Sequence, residues 1–119
     1  MIIDDDLGVL DMLTEAVTAF GHRAFPARNA VQGLREVRER RPRVVLLDLA
    51  MRGLDGRSVF DRLSGSSTSF SIVIVSGSND EAAARALLQR GAFDYLPKPV
   101  DLAHLQSVIV MAAAAEQSG

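Results

Sequence analysis

Short apolar runs alternate with segments of helical periodicity along the whole chain. Five runs can be distinguished, at residues 1–3, 22–25, 44–47, 72–75 and 93–96. The third and fourth runs are unbroken, rich in β-branched residues and about four residues long, which is typical of strands covered on both faces. We therefore predict five strands, with the third and fourth in the middle of a sheet.

The segments between these runs have the spacing of amphipathic helices. Apolar residues recur at steps of three and four through residues 7–20, and Gly21 follows as a C-terminal cap. Ser78 and Glu81 have the spacing of a capping box, and Asp101 can cap the last helix. Further helices are predicted at residues 30–40, 57–63 and 82–90, and from residue 102 onward.

The alternation of strand and helix also predicts the fold class. Five repeats with short connections favour one α/β domain over residues 1–119, with a doubly wound parallel sheet and helices on both of its faces. In such sheets the functional groups lie beyond the carboxyl ends of the strands. Residues that are scattered in the sequence should therefore meet at one edge.

Polar residues follow four of the five predicted strands. They are Asp4, Asp5 and Asp6 after the first run, Asp48 after the third, Ser76 after the fourth and Lys98 shortly after the fifth. Carboxylates brought together repel one another and need a cation, and a site without His or Cys suits Mg²⁺. An ammonium and a hydroxyl beside them can bind anionic oxygens. This pattern predicts a site for a phosphoryl group and its metal, with a carboxylate as the nucleophile.

Four longer stretches connect the chain to a known family. IIDDD, VVLLDLAMRGLDG, IVIVSGSND and GAFDYLPKPV occur in this order, and with them the chain closely resembles response-regulator receiver domains, the phosphoacceptors of two-component signalling. The resemblance covers essentially the whole chain. It implies a flavodoxin-like (βα)5 fold with the strand order 2-1-3-4-5.

The resemblance implies a role for each strand-end residue. Asp48 would be the phosphoacceptor, Asp4 and Asp5 the acidic pair, and Lys98 the phosphate-binding lysine. Asp5, Asp48 and the backbone carbonyl of Ala50 would contact Mg²⁺ directly, whereas Asp4 would act mainly through water. Asp6 is expected to cap the following helix instead of binding the metal.

The same resemblance implies a conformational switch. Ser76 would be the switch hydroxyl, and Tyr95 stands at the position of the family's rotating aromatic residue. A cis peptide bond is implied between Lys98 and Pro99. The sequence departs from the family at Arg52, where proline is commoner, so the loop after the acceptor is expected to differ.

The implied partners follow from this reading. The phosphoryl donor would be a sensor histidine kinase or a phosphotransfer protein, and the signal would pass to an output domain or a partner protein. A second copy of the chain could bind through the face formed by the fourth helix, the fifth strand and the fifth helix. The chain would catalyse its own phosphorylation and dephosphorylation and would not turn over an external substrate.

Two other functions remain open at this point. A phosphatase of the haloacid-dehalogenase type also has an Asp-x-Asp motif after its first strand, but it needs an acidic pair after the lysine. Only Asp101 is available there, and Asp48 would have no role. A receiver-like module that is never phosphorylated is the other alternative, which the intact set of aspartates, hydroxyl and lysine disfavours.

Composition and charge narrow the remaining classes. The 119 residues include no cysteine, which excludes a disulfide scaffold and a thiol nucleophile. With 13 basic and 15 acidic residues, the net charge of −2 provides no general attraction to nucleic acid or anionic lipid. An arginine run, interleaved with Glu36 and Glu39, favours a solvated helix face over a nucleic-acid patch. Its members are Arg35, Arg38, Arg40, Arg41 and Arg43.

Two further features concern metal binding and location. His22 and His104 are isolated in the sequence, so no zinc site is expected. The apolar stretch at 108–115 is far shorter than the ~20 residues of a membrane span, and no signal-peptide pattern follows Met1. We expect a soluble cytoplasmic protein.

Overall fold

A computed structural model describes residues 1–51, 56–65 and 70–115 as a parallel five-stranded sheet between two helical layers. The elements are β1 (Ile2–Ile3), α1 (Leu7–Ala19), β2 (Pro26–Ala27), α2 (Ala30–Arg40), β3 (Val44–Asp48), α3 (Gly56–Ser64), β4 (Ser71–Ser76), α4 (Glu81–Gln89), β5 (Asp94–Pro97) and α5 (Leu102–Ala114). The strand order is β2-β1-β3-β4-β5. Both the fold class and the strand order expected from the sequence are confirmed.

The central strands β3 and β4 are buried on both faces. Leu47 and Ile74 point into the layer formed by α2, α3 and α4, whereas Leu46 and Val73 point into the layer formed by α1 and α5. Because successive side chains of a strand alternate between the faces, two apolar layers require a continuous apolar run. The longest helices, α1 and α5, have 13 residues each, and no helix in the described ranges is long and apolar enough to cross a membrane.

The ends of α1 follow the sequence prediction closely. The Asp6 side chain accepts hydrogen bonds from backbone N–H groups of the first turn. At the other end Gly21 has a φ of +93°, its N–H donates to Thr18 O at 3.0 Å, and the N–H of His22 donates to Val17 O at 3.2 Å. This Schellman motif needs the left-handed conformation that glycine adopts without steric cost.

The position of β2 differs from the prediction. The apolar run at 22–25 leads into the strand, which is formed by Pro26–Ala27. The N–H of Ile2 donates to Phe25 O at 2.9 Å and the N–H of Asp4 to Ala27 O at 3.1 Å, so the register with β1 decides which residues pair. Pro26 lacks an N–H but is tolerated because β2 is an edge strand.

The predicted capping box at the start of α4 is also wrong. Ser78 begins a 3-10 turn, Ser78–Asp80, and neither this turn nor α4 has a side-chain cap. The Glu81 carboxylate instead pairs with Arg85 one turn later, at 2.8 Å. An exposed ion pair along the helix competes for the carboxylate that the capping box requires.

Close packing at Gly33 brings α2 onto the first strand. A Cβ atom on Gly33 would lie 2.6 Å from the Cδ1 atom of Ile3, a distance that real side chains do not adopt. The helix therefore approaches β1 more closely than any larger residue would allow. This contact supports the strand that precedes Asp4.

Candidate functional site

The parallel strands bring the predicted residues to one edge of the sheet. Asp4 follows the last residue of β1, Asp48 is the last residue of β3, Ser76 is the last residue of β4, and Lys98 follows β5. The carboxyl ends of these four strands face the same way because the sheet is entirely parallel.

Three carboxylates form the centre of the site. Oxygen atoms of Asp4, Asp5 and Asp48 all lie within 4.8 Å of one another. Asp4 is 1% exposed and Asp48 is 2% exposed, whereas Asp5 is half-buried. The Oδ2 atom of Asp4 is buried and lacks a hydrogen-bond partner within the described part of the chain. A buried carboxylate oxygen without a partner is costly, and oxygen ligands of this kind fit a hard divalent cation such as Mg²⁺.

Backbone N–H groups hold the two buried carboxylates in place. The N–H of Asp6 donates to Asp4 Oδ1 at 2.9 Å, and the N–H of Ala50 donates to Asp48 Oδ1 at 3.3 Å. Sequence reasoning considered only the carbonyl of Ala50 and the side chain of Asp6. Aspartate side chains tend to accept a hydrogen bond from the backbone N–H two residues later, and this tendency could have predicted both contacts. Arg52 lies outside the described residues.

Lys98 connects the acidic residues with the end of β4. Its Nζ atom lies 3.1 Å from Asp48 Oδ1 and 3.7 Å from Asp4 Oδ2, and its backbone N–H donates to Ser76 O at 2.8 Å. Burial alone would lower the pKa of Lys98, but the hydrogen bond to Asp48 and the charges of Asp48 and Asp4 outweigh it, so the pKa is raised. The peptide bond between Lys98 and Pro99 is cis, as expected.

Asp4 carries the clearest electrostatic perturbation. Burial, and to a lesser extent the charge of Asp48, raise the pKa of Asp4 to about 6. The hydrogen bond from the Asp6 N–H and the charge of Lys98 act in the opposite direction and do not cancel the effect. A proton therefore competes with any cation for this carboxylate around pH 6 and below.

Ser76 and Tyr95 share one face of the sheet. Ser76 is 1% exposed and lies one residue beyond Val75, the register partner of Asp48. Tyr95 pairs with Ile74, which lies two residues before Ser76, so both side chains are on the side of α4. Tyr95 is partly buried against that layer.

Comparison with known proteins decides what kind of domain this is. The family model described as the response regulator receiver domain matches residues 1–110. The chain belongs to this family. Phosphorylation by a histidine kinase is the standard role of receiver domains.

Relatives and solved structures agree with this family. The receiver domain is 31% identical over 109 residues to the DNA-binding transcriptional regulator NtrC of Azospirillum brasilense, covering 92% of this chain and 23% of NtrC. It is 31% identical over 114 residues to the transcriptional regulatory protein ZraR of Klebsiella oxytoca, covering 96% of this chain and 26% of ZraR. The chain thus spans about a quarter of the length of these relatives.

The fold of the receiver domain has a close counterpart among solved structures. The crystal structure of the receiver domain of NtrX from Brucella abortus superposes with a TM-score of 0.91 at 27% identity. The match covers 97% of this chain and 98% of that structure. The sheet topology described above is therefore that of a receiver domain.

Proposed function

We propose that Asp48 accepts a phosphoryl group from the phosphohistidine of a sensor histidine kinase or a phosphotransfer protein. The observation that supports this is the Asp48 carboxylate, buried at the end of a central strand and hydrogen-bonded by Lys98 Nζ at 3.1 Å. A carboxylate oxygen attacks phosphorus while the phosphorus–nitrogen bond to the imidazole breaks, which leaves an acyl phosphate on Asp48. Asp4 is the less suitable acceptor, because Lys98 Nζ lies 3.7 Å from its Oδ2 atom and hydrogen-bonds Asp48 instead.

The acidic cluster supplies ligands for a metal ion in this reaction. Asp5, Asp48 and the backbone carbonyl of Ala50 would hold Mg²⁺ directly, and Asp4 would hold it mainly through water. When bound, Mg²⁺ neutralises negative charge that builds up on the phosphoryl oxygens. Lys98 remains an ammonium ion because of its raised pKa and can donate to a phosphoryl oxygen from its position beside Asp48.

The switch is assigned to Ser76 and Tyr95. The Ser76 hydroxyl donates to a phosphoryl oxygen on Asp48, and the ring of Tyr95 turns into the space beside β4 that the serine leaves. The positions of both side chains on one face of the sheet support this coupling. An empty space in a close-packed layer would cost free energy, so the two movements should occur together.

The surface that changes with Tyr95 is formed by α4, β5 and α5. We propose that this surface passes the signal to an output domain, to a partner protein or to a second copy of the chain, and that it does not bind nucleic acid directly. Sedimentation velocity with and without beryllofluoride, a phosphoryl mimic, tests the second copy. A monomer under both conditions would leave the output domain or partner as the recipient.

Asp101 argues against a phosphatase of the haloacid-dehalogenase type. That class needs an acidic residue here as a metal ligand, but Asp101 Oδ1 accepts a hydrogen bond from the N–H of His104 at 3.0 Å and caps α5. We propose that the reaction of this site is the chain's own phosphorylation and dephosphorylation. Incubation with a phosphomonoester separates the two functions, because only a phosphatase would release phosphate over many turnovers.

Intact-mass analysis with acetyl phosphate and Mg²⁺ tests the proposed acceptor. The wild type should gain one base-labile phosphoryl group, Asp48→Asn should gain none, and Asp6→Asn, which retains the helix cap, serves as the matched control. Equal yields on wild type and Asp48→Asn, or a full yield in EDTA, would contradict the assignment. No adduct on any variant would favour the unphosphorylated interaction module.

A further inference from the structure

The two ends of α4 are held in different ways. Within the described part of the chain, no side chain caps the 3-10 turn Ser78–Asp80 or the start of α4. The N–H of Asp80 donates to Gly77 O at 3.0 Å, a bond that belongs to the turn itself. The first N–H groups of a helix have no partner inside the helix, so a start without a cap is weakly held.

Gly77 joins this weakly held start to Ser76. It is the single residue between the end of β4 and the 3-10 turn. A Cβ atom on Gly77 would have no atom of the described residues within 4 Å, so the backbone has open space on that side. Glycine also has more backbone freedom than any other residue. A movement of Ser76 can therefore reach the start of α4 through one flexible residue.

A Schellman motif holds the C-terminal end of α4. The N–H of Gly91 donates to Leu88 O at 3.3 Å and the N–H of Ala92 to Leu87 O at 3.0 Å, with Gly91 at a φ of +115°. Leu87 and Ala92 are both buried in the same apolar layer, which provides the hydrophobic contact of this motif. The end of the helix is thus fixed by hydrogen bonds and by burial.

Arg90 links this end of α4 to α3. Its guanidinium forms an ion pair with Asp61, and its Cζ atom lies 6.0 Å from the centre of the Phe60 ring, which is buried. The side chains of Arg90 and Asp61 are half exposed, so each contact alone is modest. Together they connect one side chain of α4 to two successive residues of the neighbouring helix.

The apolar side chains that α4 buries have the same asymmetry. In its first half only alanines face the sheet, with Ala84 buried and Ala83 partly buried, whereas the second half contributes Leu87 and Leu88. Burial stabilises in proportion to the apolar area removed from water, and a leucine buries more of it than an alanine. A segment with few apolar contacts and an open helix end unfolds locally at a lower free energy than a well-packed one.

We propose that α4 pivots about its C-terminal end, residues 87–92, which Arg90 fixes to α3, while its first turn and Ser78–Asp80 open away from the sheet. This opening is an equilibrium of the unphosphorylated protein. Its role in signalling rests on the proposed function, because a phosphoryl group on Asp48 that draws Ser76 toward it would shift the equilibrium through Gly77.

Amide hydrogen exchange of the unphosphorylated protein in EDTA measures the pivot directly. The N–H groups of Arg85 and Ala86 pair with carbonyls of the first turn of α4, and that of Ala92 belongs to the Schellman motif. After correction for intrinsic rates, the first two should exchange at least about tenfold faster than the third. Equal protection at these positions, or faster exchange at Ala92, would overturn the proposal.

Arg90→Gln and Arg85→Gln form a matched pair of variants. Each removes one positive charge and one exposed ion pair from α4. Arg90→Gln should speed exchange at Gly91 and Ala92 about three- to tenfold, because the ion pair and the ring contact are both lost. Arg85→Gln should leave these two amides unchanged. Equal effects of the two variants at these amides would contradict the anchoring role of Arg90.

Beryllofluoride with Mg²⁺ separates a failure of the pivot from a failure of the proposed phosphoacceptor. We expect amide shifts at Ser78–Asp80 and in the first turn of α4, and shifts at least about threefold smaller at Gly91 and Ala92. Shifts of equal size along the whole of α4 would refute the pivot. The absence of shifts throughout the protein would contradict the assignment of Asp48, and hydrogen exchange would then decide the pivot alone.

Discussion

The substitution Asp4→Asn should stabilise the metal-free protein. The carboxylate of Asp4 is 1% exposed, its Oδ2 atom has no hydrogen-bond partner among the described residues, and Asp48 lies beside it. Asn is close to Asp in shape. Its amide oxygen can still accept from the Asp6 N–H, and its NH₂ group can donate toward Asp48, so the variant removes the charge and keeps the local geometry.

The pKa of Asp4 sets the size of the effect. Burial raises it from an ordinary 3.8 to about 6, a shift of about two units. At about 1.36 kcal/mol per unit, the ionised group costs the folded state about 3 kcal/mol above pH 6. An amide still loses hydration when it is buried, so we expect a gain of about 1–3 kcal/mol in the free energy of unfolding. For a chain of 119 residues this corresponds to about 4–12 °C in Tm.

The sign of the pH dependence distinguishes this mechanism from general stabilisation. The folded pKa of Asp4 is above its unfolded value, so the folded protein binds more protons between about pH 4 and pH 6, and raising the pH through this window destabilises the wild type. The stability difference between Asp4→Asn and wild type should therefore be small at pH 4 and maximal above pH 6. Urea unfolding in EDTA at several pH values measures it.

Two results would refute this reasoning. The first is a variant no more stable than wild type at pH 7 in EDTA, and the second is a difference that does not change between pH 4 and pH 7. Asp6→Asn serves as the control, because this exposed cap residue should change stability by less than about 0.5 kcal/mol. Mg²⁺ should stabilise the wild type more than Asp4→Asn, and it should therefore reduce the difference in the free energy of unfolding between the two proteins.

Three further predictions concern the metal, the switch and the packing. Asp5→Asn should weaken Mg²⁺ binding in a titration more than Asp6→Asn, and equal losses would mean that the acidic pair is displaced by one residue. Ser76→Ala should still be phosphorylated but show smaller amide shifts in β5 with beryllofluoride, whereas unchanged shifts would disprove the coupling. Gly33→Ala should lose about 1–3 kcal/mol in urea unfolding, and Gly77→Ala, where a Cβ meets nothing within 4 Å, should lose less.

The order of the elements was predictable because its causes are local. The unbroken apolar runs of β3 and β4 require burial on both faces, and the periodic segments between strands require helices on a sheet. Gly21 and Asp101 mark helix ends through their own backbone or side-chain chemistry. The chemistry of the site was also predictable, since aspartates, a hydroxyl and a lysine that follow parallel strands must meet at one edge of the sheet.

The misplaced elements are those whose position depends on neighbours. Whether residues 22–25 or Pro26–Ala27 form the edge strand is decided by the register with β1, which apolar periodicity does not encode. The predicted capping box of α4 is wrong because the Glu81 carboxylate forms an ion pair with Arg85 along the exposed helix. In both places a contact through hydrogen bonds or charge outweighs a short sequence pattern.

The sequence by itself determined which residue types reach the site. The tertiary structure decided how the aspartates differ in burial, in pKa and in distance from Lys98. Lys98 Nζ lies 3.1 Å from Asp48 Oδ1 but 3.7 Å from Asp4 Oδ2, and burial, with a smaller contribution from the charge of Asp48, raises the pKa of Asp4 to about 6. Distances, burial and electric fields act through space, so only the folded chain separates the proposed phosphoacceptor from its neighbours.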